Sequence, residues 1–118
     1  MDIPKDLVAA SAAPMVLSIL AESDSYGYAI LGRVREPVRG RARLDGGAAL
    51  PLLHRLERQG HIEATWGSSE TGRRRKYYAL TGEGREALAT HVSQWRTVAA
   101  ALESAWGRMD FGGQVSLA

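Results

Sequence analysis

Gly72-Arg73-Arg74-Arg75-Lys76-Tyr77-Tyr78-Ala79-Leu80-Thr81 places four consecutive cations between a glycine and a short strand-like run. Upstream, His61-Ile62-Glu63-Ala64-Thr65-Trp66 reads as the partner strand. Between the two lies Gly67-Ser68-Ser69-Glu70-Thr71-Gly72, polar throughout and with a glycine at each end. Two strand-like runs around such a loop predict a β-hairpin. In this reading the cations gather at the hairpin tip, where the planar donor fork of arginine suits the phosphate oxygens of a polyanion. The charge run by itself is equally compatible with a solvated loop, so the surrounding chain has to decide.

At 118 residues the chain fits one domain with a small core and a large exposed fraction. It has no cysteine, which excludes a disulfide scaffold, a thiolate metal site and thiol catalysis. That composition is compatible with a reducing cytoplasm, the expected location. The formal charge of +2 is unevenly spread. Residues 33–76 hold ten Arg and one Lys against five acids, a net of +6, whereas residues 1–32 sum to −3 and residues 77–118 to −1. Basicity concentrated in the middle of a chain is the electrostatic footprint of nucleic-acid contact. The apolar run Leu7–Ala21 is too short to span a bilayer, and Asp2 and Asp6 before it oppose a secretory signal.

Outward from the hairpin, the remaining segments read as helices. Leu7, Val8, Met15, Val16, Leu17, Ile19 and Leu20 predict a mostly buried first helix. Pro4 suits its first turn, and Pro14 either kinks it or forces a restart near Ser11. Asp24 and Ser25 offer cap chemistry for a second helix, with Tyr26, Ile30 and Val34 on one face and Pro37 at its end. Arg39–Leu44 is basic and irregular, with room for a short edge strand. A third helix begins at Asp45 or nearer Gly47, carries Leu50, Leu52, Leu53 and Leu56, and is closed by Gly60. Pro51 falls in its second turn if Asp45 is the cap. After the hairpin, Thr81 caps a long helix. Its apolar positions Leu88, Val92, Trp95, Ala99, Leu102 and Trp106 recur in steps of four, three, four, three, four, an a/d heptad seam. A seam of that kind on so small a domain has few internal partners, so a second subunit is the natural one, with packing on its own domain as the alternative.

The expected fold is therefore mainly α with a small β-wing: a winged helix-turn-helix over residues 1–81, a C-terminal dimerisation helix over 82–106, and a disordered tail over 107–118. In that architecture the third helix enters the major groove and the wing follows the backbone or minor groove.

The run Leu53-His54-Arg55-Leu56-Glu57-Arg58-Gln59-Gly60-His61-Ile62-Glu63, followed by Trp66-Gly67 and Gly72–Thr81, resembles the PadR family of transcriptional regulators, as does Tyr26-Gly27-Tyr28. The resemblance covers roughly residues 5–106. The single helix after the wing is similar to the compact, LmrR-like subgroup. The resemblance implies a homodimeric repressor of operator DNA, with the C-terminal helix at the dimer interface. It also implies an apolar cavity flanked by a tryptophan from each subunit, matched here by Trp95, on which a planar aromatic effector would stack. Two departures stand out. Where the family shows Gly-Thr-Leu-Tyr-Pro at the start of the reading helix, this chain has Gly47-Ala48-Ala49-Leu50-Pro51. Ala48, Ala49 and Leu50 offer only apolar contacts, for instance to thymine methyls. Four residues after the tryptophan, where the LmrR-like pattern carries a carboxylate, stands Ala99, which favours a neutral ligand over a cationic one.

The candidate DNA-binding residues are accordingly Arg73, Arg74, Arg75 and Lys76 in the wing and Ala48, Ala49, His54 and Arg55 on the third helix. Arg58 with Arg55 either touches the DNA backbone or pairs with Glu57. Trp95 and Ala99 are the candidate ligand residues, and Leu88, Val92, Trp95, Leu102 and Trp106 the candidate dimer interface. Of Tyr77 and Tyr78, one packs on the core and its neighbour faces outward. Trp66 reads as hairpin packing. The alternative function is a dimer that binds a small molecule or a protein and has weakened or lost specific DNA binding. Enzyme chemistry is not expected: His54, His61 and His91 lack metal-ligand spacing, and the glycines at Gly46-Gly47 lack the context of a phosphate loop. No cofactor or metal is expected.

Overall fold

In the computed structural model, residues 3–38 and 46–109 are described. Their elements run α1 (Lys5–Glu22), β1 (Ser25–Tyr26), α2 (Gly27–Val38), α3 (Gly46–Arg58), β2 (Ile62–Ser68), β3 (Arg74–Leu80) and α4 (Gly82–Trp106). The strands form one antiparallel sheet in the order β1-β3-β2. This is a mainly helical fold with a small sheet, as expected. The chain divides into two compact units, one through Leu88 and one from Ala89 onward.

The core of the first unit draws Ala12, Val16, Leu17, Ile19 and Leu20 from α1, Ile30 from α2, and Leu52, Leu53 and Leu56 from α3. Ile62 and Tyr78 close it from the sheet. This burial explains why α1 continues through Pro14 with no restart at Ser11. A proline inside a helix costs about 3 kcal/mol. Each buried Val, Leu or Ile contributes about 1.5–3 kcal/mol, so the apolar face prevails. Pro4 stands just before the helix rather than in its first turn, and its carbonyl accepts the amides of Leu7 and Val8 at 3.1 and 3.2 Å.

Three other expectations change around α2 and α3. Ser25 does not cap α2: Ser25 and Tyr26 pair with Tyr78 and Tyr77 as a third strand, and the helix begins at Gly27. α2 is described to Val38, one residue past the end expected at Pro37. Arg39–Leu44 and the cap at Asp45 lie outside the described residues. Pro51 sits inside α3, in the second turn from Gly46. At the other end, Gly60 adopts φ 78°. Its amide donates to Glu57 O and that of His61 to Leu56 O, both at 3.0 Å, which satisfies the last carbonyls of α3.

Thr81 joins the elements. Its hydroxyl donates to Gly60 O at 2.6 Å and accepts from the Gly84 amide at 3.0 Å, capping α4 as expected. Its own amide donates to His61 O at 3.1 Å. Gly84 is pressed against the residue that precedes β2: a Cβ there would run into the His61 carbonyl oxygen and Leu80 Cδ1.

Candidate nucleic-acid interface

The hairpin is longer, and its turn shorter, than the sequence suggests. β2 and β3 pair without interruption from Ile62↔Leu80 to Ser68↔Arg74, so Gly67 and Ser68 belong to a strand rather than to a loop. The turn is built around the buried Ser69 hydroxyl, which accepts from the Arg73 amide at 3.1 Å and shares a hydrogen bond with Thr71 Oγ1 at 2.9 Å. The Ser69 amide donates to Arg73 O at 2.7 Å, and Gly72, at φ 83°, donates to Ser69 O at 2.9 Å.

This length places Arg74, Arg75 and Lys76 on β3 and leaves only Arg73 in the turn, so the cations are not a single tip cluster. Alternate residues of a strand face opposite sides. Arg74 and Lys76 share the face of Tyr78, whose ring is buried in the core; Arg75 shares the outer face with Tyr77. Each side chain then finds its own seat. The Arg74 guanidinium lies over the Trp66 ring, 4.9 Å from its centroid, and that of Arg75 over Tyr26 at 4.0 Å. Lys76 Nζ donates to Glu57 Oε1 of α3 at 3.2 Å and sits 5.5 Å from the Tyr78 centroid. The Glu57 hydrogen bond is the main cause that holds the Lys76 pKa above its ordinary value. The pair is half-exposed and contributes under about 1 kcal/mol. That contribution is complete below the ordinary lysine pKa and fades only as pH rises through the raised one.

On the outer face a layered cluster forms. The Tyr77 ring lies across Gly67, where a Cβ would come within 2.8 Å of it. Tyr26 meets Tyr77 edge-on, with centroids 5.7 Å apart and planes at 79°. Trp66, expected to pack within the hairpin, is 62% exposed and serves as a platform for Arg74.

On α3, Leu50, Pro51, His54, Arg55 and Arg58 form the exposed face. Among the described residues no hydrogen bond or ion pair engages the guanidinium groups of Arg55, Arg58 or Arg73, and Glu57 is taken by Lys76. Ala49, a candidate DNA contact, is partly buried and packs against the core. The Ala48 side chain lies outside the described residues. The exposed apolar residue at the start of this face is Leu50.

On α4, Leu88 packs against the core of its own unit. Val92 is half-buried, whereas Trp95, Ala99, Leu102 and Trp106 are exposed, and Val98 adds to them. A shallow concavity on the helix is lined by Ala89, Val92, Ser93, Arg96, Thr97 and Ala100, so Trp95 and Ala99 lie off it. Among the described residues no group of three or more His, Asp or Glu could hold a metal ion, and no helix is long and apolar enough to cross a membrane.

Sequence reasoning missed Tyr26, Trp66 and Glu57 as seats for the wing cations. The available signal was Gly67, a residue that opens a strand face for an aromatic neighbour. Comparison with known proteins gives these features a setting. The model of the transcriptional regulator PadR-like family matches residues 16–90. A PadR family transcription regulator from Clostridium difficile is 33% identical, with 82% of this chain and 99% of that one covered at a TM-score of 0.72. A transcriptional regulator from Clostridium thermocellum is 28% identical over 85% and 97% of the two chains, with a TM-score of 0.75. An uncharacterized protein from Lysinibacillus sphaericus is 28% identical over 93 residues, 79% of this chain and 85% of its own length.

Proposed function

Because this chain belongs to the PadR-like family of transcriptional regulators, we propose that it is a homodimeric, ligand-responsive repressor. Residues 1–81 form the reading head and residues 82–106 the dimerisation helix. The exposed face of α3, with Leu50, His54, Arg55 and Arg58, enters the major groove, and Arg73, Arg74 and Arg75 of the wing neutralise phosphates. The observation that carries this reading is the seating of Arg74 and Arg75 on aromatic rings, at 4.9 and 4.0 Å. Guanidinium groups stacked by one face keep the in-plane donors of the fork free for an anion. Lys76 is engaged by Glu57 and serves as a brace between wing and reading helix. The second copy pairs through the ridge of Trp95, Leu102 and Trp106. Trp95, with Ala99 a turn further on, takes a neutral planar aromatic effector, whose binding shifts the spacing of the two heads.

The test is fluorescence anisotropy on duplex DNA from the region upstream of the protein's own gene, against a scrambled duplex, at two salt concentrations. Three wing arginines in each of two heads predict a log–log salt slope of about −5. Tight binding that exceeds the scrambled control supports the repressor. A flat salt response sinks it. The second reading, a ligand- or protein-binding dimer without a specific operator, is favoured by the apolar, 52% exposed Leu50 on the reading face. It predicts weak binding, equal on both duplexes.

A further inference from the structure

We propose that Tyr26 is a positioning residue for DNA binding: its ring holds the Arg75 guanidinium in the orientation that meets a phosphate. The inference rests on the DNA-binding reading above and deepens it. Tyr26 lies outside the run of wing cations and outside the reading helix, on the two-residue strand β1. Its position is nevertheless fixed from two directions. Pairing with Tyr77 sets its backbone in register with β3, and the edge-on contact at 5.7 Å sets its ring. Tyr77 is in turn laid across the bare backbone of Gly67. The order of layers is thus Gly67, Tyr77, Tyr26 and Arg75, and the outermost layer is a half-buried cation 4.0 Å from the ring centroid, the shortest of the three cation–ring distances in the wing.

The chemistry follows from the shape of the group. Arginine has a flexible stem that loses rotamer freedom when its head is fixed on a phosphate. A head already stacked on a ring has lost much of that freedom before DNA arrives, so less is lost on binding. Stacking covers one face of the plane and leaves the in-plane N–H groups open. Tyr26 touches no phosphate in this account and neutralises none. Its removal therefore changes affinity without changing the number of ions released, which separates a positioning residue from a contact.

The experiment measures duplex binding by fluorescence anisotropy across a salt series, using the full chain and the DNA from upstream of its own gene. The variants are Tyr26→Leu, Tyr26→Phe, Arg75→Ala and the double variant of Tyr26→Leu with Arg75→Ala. Tyr26→Leu weakens binding by about two- to fivefold for each head, with the salt slope unchanged. Tyr26→Phe, which keeps the ring, binds within about twofold of the wild type. Arg75→Ala weakens binding and lowers the slope by about one per head. In the Arg75→Ala background, Tyr26→Leu has no further effect. Should Tyr26→Leu fail to fold, as judged by circular dichroism, Arg75→Lys makes the same test: it keeps the charge and the slope but loses affinity, because an ammonium lacks the planar stack. Full affinity in Tyr26→Leu, or in Arg75→Lys where that variant stands in, overturns the seat, as does an undiminished Tyr26→Leu effect in the absence of Arg75. If the wild type itself shows no salt-dependent binding, the functional reading fails first, and the seat falls with it.

Discussion

In the unit through Leu88, Val16, Leu17, Leu56 and Ile62 are fully buried, whereas beyond Ala89 Trp95, Leu102 and Trp106 stand 39%, 43% and 40% exposed on a helix that continues from the first unit. The two regions share one element, α4, yet the side chains before and after Leu88 live in different solvents. The first two turns are welded by the Thr81 cap, by the tight approach of Gly84 to His61, and by Ala87 and Leu88 against the core. They supply the nucleus that an isolated helix lacks, so the remaining turns extend from a helix already begun. Along those turns Trp95, Val98, Leu102 and Trp106 are exposed. The contrast teaches that the head carries its own hydrophobic stabilisation, whereas the distal helix leaves Trp95, Leu102 and Trp106 39–43% exposed.

The largest effect should come from opening the head. Leu56→Ala removes a fully buried side chain and should cost about 2–5 kcal/mol in urea unfolding; a loss below about 1 kcal/mol would mean that the core is not the principal source of stability. Next comes the weld. Gly84→Ala should gain about 1 kcal/mol of helix propensity. Its Cβ, however, meets a backbone carbonyl that cannot swing aside, and overpacking costs about 1–3 kcal/mol before any gain. The variant should therefore unfold earlier than the wild type; equal or greater stability would show that the junction can yield. The smallest effect on a dilute chain belongs to the distal helix. Leu102→Ala should change unfolding of the monomer by no more than about 0.5 kcal/mol, while sedimentation at rising concentration should show weaker self-association. A large loss in the dilute monomer would mean that the ridge is covered within the chain, and the contrast would collapse.

Sequence reading located the features whose chemistry is local. Gly60 closes α3 and Thr81 caps α4 because a left-handed glycine and a hydroxyl at a helix start act on backbone atoms a few residues away. The hairpin was legible for the same reason. Its strand ends were not, because Gly67 and Ser68 read as loop residues until the Tyr77 ring that needs the bare backbone at Gly67 is placed beside it. β1 was hidden because Asp24-Ser25 carries the same signal as a helix cap, and only the distant partner strand makes it an edge. In the site, the charge run announced itself, but its division between two faces and three seats depends on Tyr26, Glu57 and Trp66, which lie elsewhere in the chain. Ala49 shows a related limit: its place in a motif was legible, whereas its partial burial against the core depends on the phase of α3.

The pairing of Tyr26 with Tyr77 also bears on the order in which this protein becomes competent as it is synthesised. β2 and β3 are joined by a short turn, and such a hairpin closes within microseconds of its last residue becoming available, about 1–10 μs. β1 is made long before and must wait for β3, because its partners are Tyr77 and Tyr78. Closing so wide a loop draws on the collapse of the helices in between, so the edge strand docks late. A nascent or half-folded chain thus displays the wing arginines before Arg75 has its ring. The contact of Arg75 with the Tyr26 ring is assembled only when the N-terminal and hairpin segments have met, so it marks the point at which these distant segments are joined.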